Sequence, residues 1–213
     1  MPPTSDDIQR YVQCMEIIKL RIEVINKFLL TELSTGMPIP DIECICLQFR
    51  MVFESIALSS LCAHRARYEQ IKKSFSKEWD ANKIIKTIES FNPNFYPVPI
   101  VQILDASGKS ILGVEKKPDG FMTRNEYQKA FNRCHDFLHE QNPYDWKQPN
   151  VTELWTMFTE WKSKIISLLD CHIIPFETDQ QLFWVVMKAV SDGRVREDSV
   201  VVKQMTKGSK VVR

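Results

Sequence analysis

Apolar side chains recur at steps of three and four residues near the start of the chain, the spacing that places them on one face of a helix. The series consists of Ile8, Tyr11, Val12, Met15, Ile18, Ile22, Ile25 and Leu29. Ser5 and Asp6, immediately before it, can accept hydrogen bonds from the free amides of a first helical turn. The pattern therefore predicts a long amphipathic helix that begins near Ser5.

Two further helical segments are predicted before the chain changes character. Gly36 and two prolines in "STGMPIPD" interrupt the first pattern, and Asp41 is the expected cap of a second helix that runs to about Arg67. The apolar face of this helix is broad enough to predict a position in the centre of a bundle. The third segment is expected in two pieces, residues 68–75 and about 80–91, and "NPNFYPVP" ends it because proline cannot continue a helix.

Between residues 97 and 121, apolar and polar residues alternate on both sides of the turn sequence "DASGKS". Alternation with a period of two is typical of a strand, so this segment predicts a β-hairpin inserted into the helical domain. The GKS tripeptide lacks the preceding glycine of a P-loop, so we interpret it as a turn.

The last third of the chain predicts two helices followed by strands. Thr123 and Glu126 have the spacing of a capping box, in which each side chain accepts a bond from the backbone amide of the other residue. The helix that they start is expected to end around Asn142, and Asn150 is the expected cap of the next helix. The β-like runs that follow predict short strands, which close a small sheet with the hairpin.

The predicted fold class is mainly α: a helical bundle of about five helices with a small β-hairpin insertion and short C-terminal β strands. Residues 1–170 are expected to form the helical bundle domain, with the β insertion at about 97–121. Residues 171–205 are expected to form a C-terminal β appendage that packs on the same domain, and residues 206–213 a flexible tail. The 213 residues suffice for one substantial core.

The composition of the chain limits the kinds of function that it can have. Apolar residues make up 44% of the chain and charged residues 26%, as in an ordinary globular protein. The 28 basic residues are balanced by 27 acidic ones, so any contact with nucleic acid must be local. No run reaches the roughly 20 apolar residues of a membrane span and no secretory signal pattern is present, so we expect a cytoplasmic protein without a membrane partner. The six cysteines include no CxxC pair and are expected to be reduced structural thiols.

The most chemically loaded stretch is "FNRCHDFLHEQNPYD", residues 131–145. Drawn as a helix at about 100° per residue, it continues one apolar stripe that we expect to be buried. The members of this stripe are Tyr127, Phe131, Cys134 and Leu138. His135 and His139 lie side by side on the flank of the stripe, whereas Arg133 lies about 120° from His139. The arginine and the second histidine therefore cannot converge within one straight helix.

Three interpretations of this polar cluster are open. In the first, it is the solvated edge of a helix, with Arg133 and Asp136 as a weak ion pair. In the second, His135 and His139 form half of a zinc site, because imidazoles one turn apart can bind a single ion. The other ligands would come from Asp136, Cys171 or His172.

In the third interpretation, which is the leading functional hypothesis, the cluster cleaves RNA and needs neither a metal nor a cofactor. Attack by a ribose 2′-hydroxyl requires a base that titrates near neutrality and a fixed cation at the phosphate. Histidine suits the first task because its ordinary pKa is about 6.5, and arginine suits the second because its guanidinium fork fits phosphate oxygens. The segment "RCHDFLH", from Arg133 to His139, contains both residue types.

This segment, together with the predicted bundle, resembles the Arg-x4-6-His signature of the HEPN (higher eukaryotes and prokaryotes nucleotide-binding) superfamily. The resemblance implies a metal-independent endoribonuclease or an RNA-binding relative, of a toxin–antitoxin or other defence system, in which a homodimer brings two copies of the motif into one cleft. It implies that Arg133 binds phosphate, that His139 acts as base or orienter, and that His135 assists. The chain departs from the signature at Cys134, where Asn, Asp or His usually follows the arginine.

The alternative function is a non-catalytic helical interaction or regulatory module, whose partner would be another protein rather than RNA. Arg50 and Glu54, four residues apart in the apolar second helix, are either a buried ion pair or part of a cleft, and His64 is open to the same two interpretations. The aromatic residues of "NFYPVP" and "NPYDW" are expected to close the end of the bundle.

Overall fold

The structure is a computed structural model that describes residues 4–71, 80–107, 111–139, 142, 144, 148–175, 181–188 and 195–201. Its elements confirm the predicted fold class, a mainly α protein with minor β structure. Residues 206–213, the predicted tail, lie outside the described residues. Residues 108–110, at the predicted hairpin turn, do so too.

The described residues contain six helices. They are α1 (Ser5–Leu29), α2 (Pro38–Ala63), α3 (Arg65–Ile71), α4 (Ala81–Phe91), α5 (Arg124–Phe137) and α6 (Val151–Leu169). The third predicted segment is found as α3 and α4, and residues 72–79 between them lie outside the described part of the chain. The predicted end of the second helix, about Arg67, is wrong, because α2 ends at Ala63 and α3 already begins at Arg65.

The strands form one antiparallel sheet with the order β2-β1-β3-β4-β5. They are β1 (Val98–Leu104), β2 (Ile111–Lys116), β3 (Cys171–Pro175), β4 (Gln181–Val186) and β5 (Arg196–Val201). The hairpin of β1 and β2 joins the C-terminal strands because β1 pairs with β3, where Val98 lies opposite Ile173. The expected closure of one sheet by the hairpin and the C-terminal strands is therefore confirmed.

Helix α2 is the centre of the bundle and contacts α1, α4, α5 and α6. Aromatic rings pack edge to face along it: Phe49 lies 5.6 Å from Trp161 and Phe53 lies 5.2 Å from Tyr127, centroid to centroid. By length and composition, α2 resembles a membrane span, but more than half of its most apolar stretch is buried among the other helices. That burial is the pattern of a core helix.

Helix α1 begins at Ser5, as predicted, but its cap is Thr4 rather than Ser5 or Asp6. The Thr4 hydroxyl accepts a bond from the Asp7 amide at 3.3 Å, and the Asp7 carboxylate accepts one from the Thr4 amide at 3.0 Å. This reciprocal capping box satisfies two free amides, one from each partner.

The predicted start of α2 is also wrong, because the helix begins at Pro38, before Asp41. Proline suits the first helical position, since its fixed backbone angle is helical and an amide there has no partner in any case. Asp41 lies in the first turn, and its carboxylate accepts bonds from the Ser34 hydroxyl at 2.7 Å and the Thr35 amide at 3.0 Å. It fixes the preceding loop instead of capping the helix.

Helix α5 begins as predicted and ends earlier than predicted. The Thr123 hydroxyl accepts from the Glu126 amide at 3.3 Å, and the Glu126 carboxylate accepts from the Thr123 amide at 2.8 Å. The last helical residue is Phe137, because the Leu138 amide bonds to the carbonyl of His135 at 3.1 Å in a tighter turn. His139 therefore lies just beyond the helix rather than inside it.

Candidate functional site

Two histidines form a contact pair at the C-terminal end of α5. His135 lies in the last turn of the helix and His139 follows its end, and their ring centroids are 4.3 Å apart at an interplanar angle of 72°. Both side chains are exposed. The early end of the helix therefore leaves the predicted pairing of the two rings intact.

An arginine from the central helix completes this cluster. Nη1 of Arg50, on α2, lies 3.2 Å from Nδ1 of His135, on α5. Arginine can only donate hydrogen bonds, so Nδ1 of His135 is the acceptor and its ring proton lies on Nε2. The contact thus fixes one neutral tautomer of His135, with an N–H that Arg50 does not occupy.

Arg50 is held in place by contacts on two sides. Its Nε donates to Oε1 of Glu54 at 3.0 Å, and its guanidinium carbon lies 5.9 Å from the ring centroid of Phe131. The side chains of Arg50 and Glu54 are 27% and 22% exposed, so the pair is largely but not fully buried. The sequence allowed either a buried ion pair or part of a cleft. The structure shows a half-buried ion pair of Arg50 and Glu54 whose arginine also contacts the candidate site.

The apolar stripe of α5 brings these residues together. Tyr127, Phe131 and Cys134 are buried, as predicted, whereas Leu138, just past the end of the helix, is only half-buried. The Tyr127 hydroxyl donates to the carbonyl of Phe53 on α2 at 2.9 Å, which fixes how α5 lies along α2. The polar flank of α5 then meets α2 at Arg50.

Arg133 lies apart from the histidine pair. Its side chain is exposed, and its guanidinium carbon stands 4.7 Å from the ring centroid of Phe137, one turn further along α5. No ion pair joins Arg133 to Asp136 in the part of the chain that the structure describes. Within one chain, the structure brings His135 and His139 together with Arg50, and it does not bring Arg133 to them.

His172 belongs to the core, away from the histidine pair. It is 0% exposed, its Nδ1 donates to the carbonyl of Leu169 at 2.8 Å, and its Nε2 accepts from the Tyr11 hydroxyl at 2.6 Å. Burial lowers the pKa of His172 to about 4. This ring is therefore a neutral structural group that joins α1 to the sheet.

His64 is also a satisfied core histidine. Its Nδ1 lies 2.8 Å from the carbonyl of Ser60, and its Nε2 lies 2.8 Å from Nδ2 of Asn92. The same Asn92 amide donates to the carbonyl of Pro175 at 3.1 Å. His64 thus links α2, through Asn92, to the end of β3.

The zinc interpretation lacks the ligands expected of it. The thiol of Cys171 lies 3.2 Å from Nε1 of Trp184, which donates to it, and His172 is occupied as described above. Neither residue joins the pair of His135 and His139. Among the described residues, no group of three histidine, cysteine or acidic side chains is arranged to hold a metal ion.

The aromatic residues of the two proline-containing segments differ in how far they are buried. Phe95 is buried and the Tyr96 hydroxyl donates to the carbonyl of Met122 at 3.0 Å, as expected of residues that close the bundle. Tyr144 is 97% exposed, so the same expectation is wrong for this residue. Its amide bonds to the side chain of Asn142, which leaves the ring facing solvent. Trp146 lies outside the described residues.

Comparison of the chain with models of known protein families, with curated proteins and with solved structures finds no match. The role of Arg50 at the histidine pair was missing from the sequence-based expectation. The sequence signal for this role was the pair of opposite charges, four residues apart, inside an otherwise apolar helix. Burial of charged side chains costs free energy, so such a pair indicates a specific role.

Proposed function

We propose that the protein is a HEPN-like, metal-independent endoribonuclease or RNA-binding relative, and that the exposed His135–His139 pair is its reactive centre. The observation that best supports this proposal is the contact of two exposed histidine rings at 4.3 Å with an arginine that fixes the tautomer of one of them. Cleavage of a phosphodiester by the 2′-hydroxyl requires a base and a fixed cation, and this cluster holds imidazoles beside a guanidinium. A cytoplasmic location is part of the proposal.

The proposed reaction uses the two histidines in different roles. His139 accepts the proton of the ribose 2′-hydroxyl, whose oxygen attacks phosphorus. His135, whose Nε2 carries the ring proton, donates a hydrogen bond to a phosphate oxygen. The departing 5′-oxygen takes its proton from water, and the resulting hydroxide is neutralised by the proton that His139 has accepted. The O2′–P bond forms, the P–O5′ bond breaks, and the products are a 2′,3′-cyclic phosphate and a 5′-hydroxyl end.

Arg133 enters this proposal through a second copy of the chain. A guanidinium on the outer face of α5 cannot reach the histidines of its own chain but can bind the phosphate held at the histidines of a dimer partner. We therefore include a homodimer in the proposal, with the planar fork of Arg133 on the phosphate oxygens. Biological roles in a toxin–antitoxin or defence system belong to the same proposal.

The test is cleavage of unstructured RNA by the purified protein in EDTA. We expect His139→Ala and Arg133→Ala each to abolish cleavage while the melting temperature stays nearly unchanged, because both side chains are exposed. Lys129→Ala is the matched control, since Lys129 is an exposed cation on the same helix. Cleavage that survives the double change His135→Ala/His139→Ala contradicts the proposal, and so does the absence of 2′,3′-cyclic phosphate ends.

The alternative, a non-catalytic interaction module, is favoured by exposed apolar side chains elsewhere. Leu20 on α1 is 68% exposed, and Ile17 on α1 and Ile166 on α6 are exposed as well. Apolar side chains on adjacent helices are what a protein partner would cover. Under this alternative, Leu20→Glu weakens binding of a co-purifying protein, while His139→Ala leaves it unchanged.

A further inference from the structure

Three side-chain amides meet on the flank of α5 that also carries His135. Gln128 and Asn132 belong to α5, and Asn82 reaches them from the first turn of α4. Nε2 of Gln128 donates to Oδ1 of Asn82 at 2.9 Å and to Oδ1 of Asn132 at 3.1 Å. Because both bonds begin at one nitrogen, the two asparagine amides are close neighbours.

An arginine fixes which way these amides point. Nη1 of Arg124, one turn before Gln128 on α5, donates to Oε1 of Gln128 at 3.3 Å. Arginine has no acceptor, so the Gln128 carbonyl oxygen must face it and the Gln128 amino group must face the asparagines. The guanidinium carbon of Arg124 lies 5.6 Å from the ring centroid of Tyr127, which holds the arginine in turn.

The same bonds determine which groups of the asparagines are left for a ligand. The oxygen of each asparagine amide accepts from Gln128, so each Nδ2 amino group points away from Gln128. Neither Nδ2 donates to another group in the part of the chain that the structure describes. Asn132 is exposed and Asn82 is half-buried. The groups that this cluster offers to a ligand are therefore hydrogen-bond donors.

The amide cluster lies beside the candidate site. At about 100° per residue, Gln128, Asn132 and His135 fall within about 60° of one another around α5. Asn132 precedes His135 by three residues, which is about 4.5 Å along the helix axis. A strand of RNA whose phosphate binds at the histidine pair therefore has a neighbouring base within reach of the amides.

We propose that the amides of Asn82 and Asn132 form a base-binding subsite that selects keto bases, uracil or guanine, in single-stranded RNA. Uracil O4 and guanine O6 accept hydrogen bonds, whereas cytosine and adenine carry an amino group at the same position. An amino group that faces the Nδ2 donors is left without an acceptor, which disfavours its binding. This inference rests on the RNA binding that the proposed function includes, but it does not require cleavage.

Gln128 is a positioning residue of this subsite, since it contacts the asparagines rather than the base. A glutamate at this position keeps the bond from Arg124 but has no donor of its own. Each asparagine must then turn its amino group towards the carboxylate and its oxygen outwards. The groups offered to a base become acceptors, which favours amino bases. Gln128→Glu should therefore invert the base preference, which a merely structural role of Gln128 does not explain.

The first experiment measures binding of short, labelled oligouridylate and oligocytidylate to the full-length protein by fluorescence anisotropy in EDTA. For the wild type, we expect the Kd for oligocytidylate to exceed that for oligouridylate at least about fivefold. Equal affinity for the two probes, or no binding of either, overturns the subsite. A preference for uridylate without cleavage supports the subsite and contradicts the ribonuclease proposal, whereas cleavage without a preference does the reverse.

The second experiment compares variants by the ratio of the two Kd values, which a general loss of affinity leaves unchanged. Gln128→Glu should bind oligocytidylate more tightly than oligouridylate, and Asn132→Ala should bring the ratio close to one. Asn125→Asp is the matched control, because it adds the same negative charge at an exposed position of α5 and should keep the wild-type ratio. A preference for uridylate that persists in Gln128→Glu contradicts the proposal, and so does an inverted ratio in Asn125→Asp.

Discussion

At the scale of single residues, the proposed function of Arg50 depends on the shape of its guanidinium group as well as on its charge. Its Nε is held by Glu54 and its Nη1 contacts His135, so the planar guanidinium spans two partners at once. The ammonium of a lysine is a single point charge and cannot make both contacts with the same geometry.

Arg50→Lys should therefore lower the proposed RNA cleavage at least about tenfold, although the charge is kept, because the tautomer of His135 is no longer fixed. The check is single-turnover cleavage at pH 7, compared with Arg67→Lys, a change to an exposed arginine on α3. Equal rates for Arg50→Lys and wild type would show that Arg50 has only a structural role.

A second residue-scale prediction concerns His172 and acid stability. Burial lowers the pKa of His172 from the ordinary 6.5 to about 4, so in this range the unfolded chain binds more protons than the folded one. The stabilisation is complete above the ordinary pKa and is lost as the pH falls towards the folded pKa. Between pH 7 and pH 5, the free energy of unfolding should fall by about 2 kcal/mol from this group alone.

The measurement is urea unfolding of the wild type and His172→Gln at both pH values. Glutamine keeps a polar partner for the Tyr11 hydroxyl but does not titrate. The variant should be less stable at pH 7 and should lose less stability between pH 7 and pH 5. An identical pH dependence of the two proteins contradicts the assignment of this loss to His172.

At the scale of elements, helix α5 carries His135 and positions it beside α2. The capping box at the start of α5 fixes where this helix begins. Thr123→Ala removes the hydroxyl that accepts from the Glu126 amide, which should cost about 1 kcal/mol of stability. Thr123→Ser keeps the cap and should cost much less. Chemical denaturation measures both, and a loss in Thr123→Ser as large as in Thr123→Ala would mean that packing of the threonine methyl, rather than the cap, is responsible.

Local patterns explain why the helices were largely predictable. The buried stripe of α5 and its capping box depend on residues three or four apart, whose relation a sequence shows directly. The start of α2 was wrong because the proline pair also allows an earlier start, and the chain uses it. The end of α5 was wrong because a single tighter bond at Leu138 closes the helix before any helix-breaking residue.

Contacts between distant segments explain what the sequence could not show. Arg50 and His135 are 85 residues apart, and Tyr11 and His172 are 161 residues apart. No periodicity relates residues at such separations. The histidine pair could therefore be predicted from the sequence, but its contact with Arg50 could not. For the same reason, the sequence allowed His172 to be a metal ligand, whereas it is a core residue.

At the scale of the whole molecule, the proposed homodimer makes a quantitative prediction. If Arg133 of one chain serves the histidines of another, a mixture of Arg133→Ala and His139→Ala chains contains mixed dimers with one intact site each. After equal amounts are unfolded and refolded together, about a quarter of the wild-type cleavage should return, since half of the dimers are mixed and each has one of two sites.

The two variants refolded separately are the control and should stay inactive. No recovery in the mixture, with a dimer confirmed by light scattering, would place Arg133 and His139 in the same site of one chain. A monomer at all concentrations would remove the shared site altogether.

The pairing of β1 with β3 also constrains how the chain folds during synthesis. Strand β1 lies between β2 and β3, so one of its edges stays open until residues 171–175 have left the ribosome. The helices α5 and α6 are made in the meantime and can pack on α2 before the sheet is complete. Truncation before β3 therefore exposes the unpaired edge of β1 to other nascent chains, and aggregation of such fragments is the cost of joining an internal hairpin to the last strands.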